Sequence, residues 1–479
     1  MRRARLAATA VALATAFAGC TLAPRYRRPE APVAPAFPAA AAAGAGAPAA
    51  ADLGWRDVFG DPRLQALVAL ALERNRNLRV ATLNVELVRA QYRIQRAAEL
   101  PTLIGQGGGT VQRVPASLSP SGKVIHHAEA WSVGAAVTGF ELDLWGRVRS
   151  LSDAALEQWF ATDEARRSAQ LSLVAEVANQ YLASRALDAE VALARSTLET
   201  VSASAALTRR AAEAGRVADI DLRTAESQVA TARFNVAAAE QQRALAQDGL
   251  ELLVGGPIPA TLPEPIPLDA QPVVADLPAG IPSEVLVRRP DVLAAEHALR
   301  AANANIGAAR AAFFPRIALT GTAGTASNEL SGLFGAAGGA AAWSFTPSIT
   351  LPIFAGGALR ANLDAAEVRK SIQIAQYEGA IQGAFREVAD ALVSRGWLEQ
   401  QLEAQTARVA AEQERFRLSD RRYRAGIDSY LTVLTAQRDL FAAQQQLIQT
   451  RLSSLANRVA LYKALGGGWR ERTAAAADG

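Results

Sequence analysis

Ala214-Gly215-Arg216-Val217-Ala218-Asp219 and Ala425-Gly426-Ile427-Asp428-Ser429-Tyr430 are two versions of one turn, 211 positions apart. Two further pairs stand at the same offset. Leu253-Val254-Gly255-Gly256 answers to Ala464-Leu465-Gly466-Gly467, and Asp143-Leu144-Trp145-Gly146-Arg147 answers to Phe354-Ala355-Gly356-Gly357-Ala358. The glycine pairs 146/357, 215/426 and 255/466 share one spacing, so the chain is two copies of a unit of about 211 residues. That period is far longer than a solenoid repeat and marks a duplicated domain.

Outward from each turn the pattern is helical. Residues 147–214 hold no Pro and no Gly and carry Leu, Ala and Val at helical spacing. At 1.5 Å per residue this makes a helix of about 100 Å. Its counterpart, 358–425, has only Gly379, Gly383 and Gly396 as weak points. Each ends at a glycine suited to a C-cap, then a turn leads to Asp219 or to Asp428 and Ser429 as N-cap residues. Each long helix therefore reverses as an αα-hairpin. The first return path is interrupted: helix 219–254, the Pro-rich segment Gly255 to Pro282, then helix 284–313. The two helices cover about 54 Å and about 45 Å, together the length of the outbound helix. The expectation is one elongated body with strands at one end and hairpin tips about 100 Å away.

Each copy opens with a helix running into a proline, Glu73–Leu100 before Pro101 and Ser283–Phe314 before Pro315. Two short β segments follow. In the last, Trp343, Phe345, Ile349, Leu351 and Ile353 alternate with Ser344, Thr346, Ser348 and Thr350 over the length of a transmembrane strand. Pro347 and Pro352 sit inside it and weaken the pattern. Segment 315–326 alternates more weakly, 131–144 changes phase near Gly139 as a bulge would, and 102–113 is Gly-rich. Trp131 and Trp343 open the second strand of each copy, where an aromatic girdle would lie; two ordinary buried tryptophans are the equal alternative.

The N-terminus reads as a leader: Arg2, Arg3 and Arg5, then the short apolar run Leu6 to Phe17. It closes in Phe17-Ala18-Gly19-Cys20, which resembles a lipobox with Phe in place of the usual Leu. Cys20 is the single cysteine, so no internal disulfide forms. Thr21 rather than Asp after it favours the outer membrane. Removing the leader takes three of the 50 Lys and Arg, leaving 47 against 46 Asp and Glu, and nucleic-acid binding gains no support. Beyond the leader no run of 18 apolar residues occurs, so any membrane crossing must be made by β-strands.

The domain reading is a signal peptide at 1–19, a lipidated tether at 20–60, a first repeat at 61–270 and a second at 271–470, with a disordered tail at 471–479. The first repeat holds a helix, β-hairpin 102–144, helical hairpin 147–254 and an equatorial segment. The second holds a helix, β-hairpin 315–354 and helical hairpin 358–465. The fold class is α+β. Four membrane strands cannot close a barrel, because their edges would expose unpaired backbone to lipid. Three chains would supply twelve strands and continue the barrel as a coiled-coil helical tunnel.

Tyr423-Arg424-Ala425-Gly426-Ile427-Asp428-Ser429-Tyr430-Leu431-Thr432-Val433-Leu434-Thr435-Ala436-Gln437-Arg438 resembles the TolC family of outer-membrane efflux ducts, as does Leu461-Tyr462-Lys463-Ala464-Leu465-Gly466-Gly467-Gly468-Trp469. The opening Cys20-Thr21-Leu22-Ala23-Pro24 with Tyr26 and Pro29, then Arg288-Arg289-Pro290-Asp291 and Phe314-Pro315, are similar to its lipidated OprM-like branch. The resemblance implies a homotrimer with a twelve-stranded barrel in outer-membrane lipid and a periplasmic tunnel. It also implies two partners, a periplasmic adaptor (membrane fusion) protein and an inner-membrane pump, most often of the resistance-nodulation-division type. It implies closure at the hairpin tips, with Leu431 at an apolar gate position and Tyr423, Asp428 and Arg438 in a polar network. Thr435 stands where the branch often carries a pore carboxylate; Asp219 and Asp221 are the substitute charges. Ordinary capping and surface ion pairing account equally simply for each of these residues taken singly.

Chemistry is not expected. His126, His127 and His297 are the only histidines, no second Cys exists, and Gly107-Gly108-Gly109 lies in a strand-like segment rather than before a helix. No metal site and no cofactor beyond a lipid on Cys20 are read. The competing reading is a lipid-anchored coiled-coil scaffold or adhesin without a channel.

Overall fold

The computed structural model describes residues 21–34, 37, 52–274, 288–334 and 340–473. The leader, Cys20 and the helix start expected at Ser283 lie outside the described residues. The elements in chain order are α1 (Trp55–Val58), α2 (Pro62–Arg74), α3 (Arg76–Ala97), β1 (Leu103–Val114), β2 (Ile125–Glu141), α4 (Arg147–Glu213) and α5 (Asp219–Val254). They continue as α6 (Pro290–Ala311), β3 (Arg316–Ser327), β4 (Ala340–Thr350), α7 (Ala358–Arg424) and α8 (Tyr430–Ala464). The helical hairpins are α4–α5 and α7–α8, and α4 and α7 each run 67 residues.

The glycine frame has a backbone cause. All six repeat-matched glycines have positive φ: 71° and 84° at Gly146 and Gly357, 69° and 73° at Gly215 and Gly426, 87° and 82° at Gly255 and Gly466. At the tips, Gly215 and Gly426 bond to carbonyls three residues back, while Arg216 and Ile427 bond to carbonyls five back. This is the Schellman arrangement, which satisfies the last helical carbonyls and needs a left-handed residue. The capping of the next helices meets expectation at α8 and departs from it at α5. The N-cap of α5 is Ala218, with Asp219 already in the first turn, and that of α8 is Ser429, with no side-chain cap bond at either.

The strands form one antiparallel sheet in the order β1-β2-β3-β4. β2 starts at Ile125 because β1 extends its pairing that far, Val114 facing Ile125. Trp131 is therefore a mid-strand residue rather than the opening one. β4 ends at Thr350, so Pro352 lies past the strand, and Pro347 is held on what is an edge strand of this chain. The single helix expected over Glu73–Leu100 is broken at Asn75, whose ψ of 126° is extended. Asn75 ends α2, accepts from Leu78 N at 3.0 Å to start α3, and donates to Leu253 O at 2.8 Å. The side chain serves two backbone groups and the backbone N–H a third, Ala71 O, which favours the break over a continuous helix.

The chain divides into two compact units. The first comprises 1–30, 85–162 and 295–377 and carries the sheet. Residues of the expected tether are docked here rather than loose. Glu296, with 2% of its side chain exposed, accepts from Tyr26, Arg28 and Arg300. Asn303 donates to Pro24 O at 2.7 Å. Burial, then the Glu296 charge, pushes the Tyr26 hydroxyl up to about 12. Burial alone would raise the Glu296 carboxyl, but Arg28 and Arg300 hold it below its usual range. Gly307 admits the strap, since a Cβ there would lie 2.8 Å from Ala23 N.

The second unit comprises 31–84, 163–294 and 378–479. Here too the segment assigned to a tether is packed, with Trp55 and Phe59 buried and Phe59 edge-on to Tyr462 at 5.9 Å. Residues 471–473, assigned to the tail, are tied down: Thr473 N donates to Asp57 at 2.7 Å and Arg56 pairs with Glu471 at 2.7 Å. Buried Arg289 explains the Arg288-Arg289-Pro290-Asp291 string. It pairs with Asp291 and Glu387 and donates to Ala464 O at 2.7 Å, satisfying a carbonyl at the end of α8.

Buried Asp61 organises this unit. It caps α2 through Arg63 N and Leu64 N and accepts from Tyr181 Oη at 2.7 Å and Gln271 Nε2 at 3.0 Å. A buried carboxylate with four donors leaves all four wanting when removed. Asp61→Ala is expected to destabilise by about 3–5 kcal/mol, read as a lowered thermal midpoint of the helical circular dichroism signal. An unchanged midpoint would show that the network carries no stability.

Candidate functional site

Strand pairing assigns every sheet residue to a face, because successive side chains alternate. Pairing carries one set across all four strands: Gly105–Ala135–Ala323–Trp343, Gly107–Val133–Thr325, Leu103–Val137–Gly321–Phe345. On this face stand Leu103, Val111, Trp131, Val133, Val137, Ile317, Leu319, Trp343, Phe345 and Ile349. The opposite face carries Gln106, Thr110, Gln112, Ser132, Thr320, Thr322, Ser344, Thr346, Ser348 and Thr350. One face is apolar and exposed, with Trp343 78% exposed, and the other is polar. An apolar exposed face alternating with a polar one is the pattern of a strand between lipid and water.

The phase change near Gly139 keeps this segregation. The register shifts between Val137 and Phe140, and Gly139 has φ 63°. Phe140 thereby pairs with Leu319 on the apolar face and Glu141 with Ala318 on the polar face. Without the extra residue both would be reversed. Trp131 and Trp343 share the apolar face, although Trp343 lies level with Ala135, four residues along β2 from Trp131. Trp131 covers Gly109, where a Cβ would lie 2.1 Å from the indole, and its Nε1 donates to Glu129.

Among the described residues β1 pairs only with β2, and β4 only with β3. Both outer edges carry unpaired backbone groups. Among the described residues no helix is long and apolar enough to cross a membrane, and no cluster able to hold a metal ion is found.

The other candidate residues lie at the hairpin tips. Leu431, Thr435 and Arg438 are exposed at i, i+4 and i+7 of α8, away from buried Val433 and Ala436. Leu431 is 69% exposed, and the Thr435 hydroxyl donates back to Leu431 O at 2.9 Å. Tyr423, Asp428 and Arg438 do not meet within one chain. Asp428 pairs with Arg422 at 2.7 Å, Arg438 leans on Asp439 at 3.4 Å, and Tyr423 packs on Tyr430 with ring centres 5.3 Å apart. Arg422 went unremarked in the sequence because it stands across the turn, six positions before its partner. Its guanidinium holds the Asp428 carboxyl below the usual carboxylate range.

Tyr430 is the pin between the two hairpins. It is buried with Ala205, Ala225 and Val433, and its hydroxyl accepts from Ser204 of α4 at 3.4 Å. Burial raises that hydroxyl's pKa. Asp219 is exposed and Asp221 half-buried in the first turn of α5, where the helix dipole favours acids. Glu226 joins the two arms of the first hairpin, bonding Arg209 and Arg223 at 2.9 Å each.

A family model described as "Outer membrane efflux protein" matches the chain twice, at residues 67–256 and 281–467. The chain belongs to this family. It is 50% identical over 460 residues to the toluene efflux pump outer membrane protein TtgC of Pseudomonas putida, covering 95% of this chain and 94% of that protein. It is 45% identical over 476 residues to the outer membrane protein OprJ of Pseudomonas aeruginosa, covering 98% of each. The open-state MtrE outer membrane channel of Neisseria gonorrhoeae superposes with a TM-score of 0.87 at 43% identity, covering 95% of this chain and all of that one. The chain is thus an outer-membrane efflux channel protein, and the scaffold or adhesin reading is set aside. Each matched segment falls within one of the two repeats read from the sequence.

The face assignment has a direct optical consequence. In bilayers with brominated acyl chains, Trp343→Phe is expected to remove a lipid-quenched part of the tryptophan emission. Equal quenching in parent and variant would place Trp343 away from lipid.

Proposed function

We propose that three copies of this chain join edge to edge into one twelve-stranded barrel, the exit duct through which an efflux pump passes drugs or other small organic molecules out of the cell. The observation that carries this is the sheet itself: four strands, one apolar face, one polar face and two unpaired edges. In lipid each unpaired group costs several kcal/mol, and membrane sheets therefore close. Joining β4 of one copy to β1 of the next closes the ring without a new element. Aromatic solvents of the kind named for TtgC belong among the cargo.

The duct performs no chemistry. A periplasmic adaptor and an inner-membrane pump of the resistance-nodulation-division type deliver the cargo and supply the energy. A lipid on Cys20 anchors the mature N-terminus, and Trp131 and Trp343 belong to an aromatic girdle. The duct is shut at the tips, where Leu431, Thr435 and Arg438 from three copies face one axis. Arg422–Asp428, Tyr423 on Tyr430, and the acids Asp219 and Asp221 hold the tips in the closed arrangement. Each weak contact acts three times around the axis, so exposed pairs suffice for a gate that must also open.

Arg422→Ser combined with Tyr423→Phe is expected to raise single-channel conductance in planar bilayers several-fold. Unchanged conductance with the oligomer intact would contradict the gate. The same pair sets a pH dependence. A carboxyl with a lowered pKa supports the closed state above its ordinary value and loses that support as pH falls through the lowered one. Conductance should stay flat from about pH 8 to pH 5 and rise only below about pH 4. A rise centred near pH 6.5 would point to a histidine instead.

A further inference from the structure

At the foot of the sheet, where β2 leads into α4 and α6 leads into β3, lies an open cavity of about 320 Å³. Its wall is aromatic. Trp145 and Phe314 stack with ring centres 4.7 Å apart and planes 26° apart, and Trp145 Nε1 donates to Pro315 O at 2.9 Å, which fixes the indole. Leu142 and Pro352 extend the apolar lining.

The rim carries two carboxylates, Glu141 and Asp143, and two guanidinium groups, Arg147 and Arg316. Glu141 takes both Nε and Nη2 of Arg147, at 2.8 and 2.7 Å, and also Nε of Arg316 at 2.5 Å. Asp143 pairs with Arg149. Glu141 is thus shared between two guanidinium groups. Of these two, Arg316 is 59% exposed, and its two Nη atoms have no partner among the described residues. Glu141 and Arg316 stand on the polar face of the sheet, at register with Ala318 and Thr350. They belong to β2 and β3, the interior strands, so the joining of β4 to a neighbour's β1 does not consume them.

We propose that this cavity is a wall site for small aromatic organic anions, entered from the channel side: the ring lies against Trp145 and Phe314 and the anionic group is held by the free Nη edge of Arg316. The volume is at the low end of small-molecule sites, about 300–1,000 Å³, and fits a single substituted ring. A guanidinium edge pairs with two oxygens of a carboxylate or sulfonate at once. The site rests on the channel reading, which gives the polar face its access to cargo. It favours anionic aromatics at the point where cargo passes from helices to strands, far in sequence from the tip acids.

Benzenesulfonate binding to the detergent-extracted oligomer, measured by calorimetry, tests it. Saturable binding is expected, weakened about tenfold by Arg316→Gln, the loss of one charged hydrogen bond. Phe314→Leu should weaken it as well, Arg316→Lys should restore part of it, and benzylammonium should not compete. No saturable binding to the parent oligomer, or equal affinity in Arg316→Gln, would overturn the site while leaving the channel standing. Recovery of the parent as a monomer would sink the channel reading, and this site with it.

Discussion

Backbone groups cannot be left unpaired in lipid, and the rest of this structure follows from that constraint. The chain makes four strands whose alternation separates an apolar from a polar face with few exceptions. One exception would have been Phe140 and Glu141, and the Gly139 bulge restores both to the right side. A sheet so carefully sided still has two open edges. Closure by copies of itself satisfies the ladder and leaves the polar face around a lumen.

The duplication serves the same end. Each copy supplies one β-hairpin and one long helical hairpin, and β2 pairs with β3 although three helices separate them in sequence. The glycines at matched positions mark where the chain must turn left-handed: at entry to the long helix, at the tip and at the end of the return helix. Side chains between these markers have diverged, because a helix face tolerates substitution where a positive φ does not.

Much of this was legible in residues. Helix ends at Gly215, Gly255 and Gly426 follow from capping chemistry, the Gly139 phase change from alternation, and β4 from its Trp-Ser-Phe-Thr pattern. What was not legible depends on partners distant in sequence. Asn75 breaks a helix because Leu253 O lies beside it. Residues 21–30 look like linker by composition, yet Glu296, about 270 positions away, binds Tyr26 and Arg28. At the tip, within one chain, Asp428 reaches Arg422 and Tyr423 reaches Tyr430, contacts that the motif does not announce. Spacing shows which residues share a helix face, as with Leu431, Thr435 and Arg438; it does not show which acid a flexible arginine will choose.

The measurement closest to the central claim is electron microscopy of the full-length protein extracted from the outer membrane in detergent. Closure of four-stranded sheets by self-association predicts a three-fold particle with a central lumen and twelve strands around it. A monomer, or an oligomer in which β1 and β4 remain unpaired and no lumen is enclosed, would contradict the account.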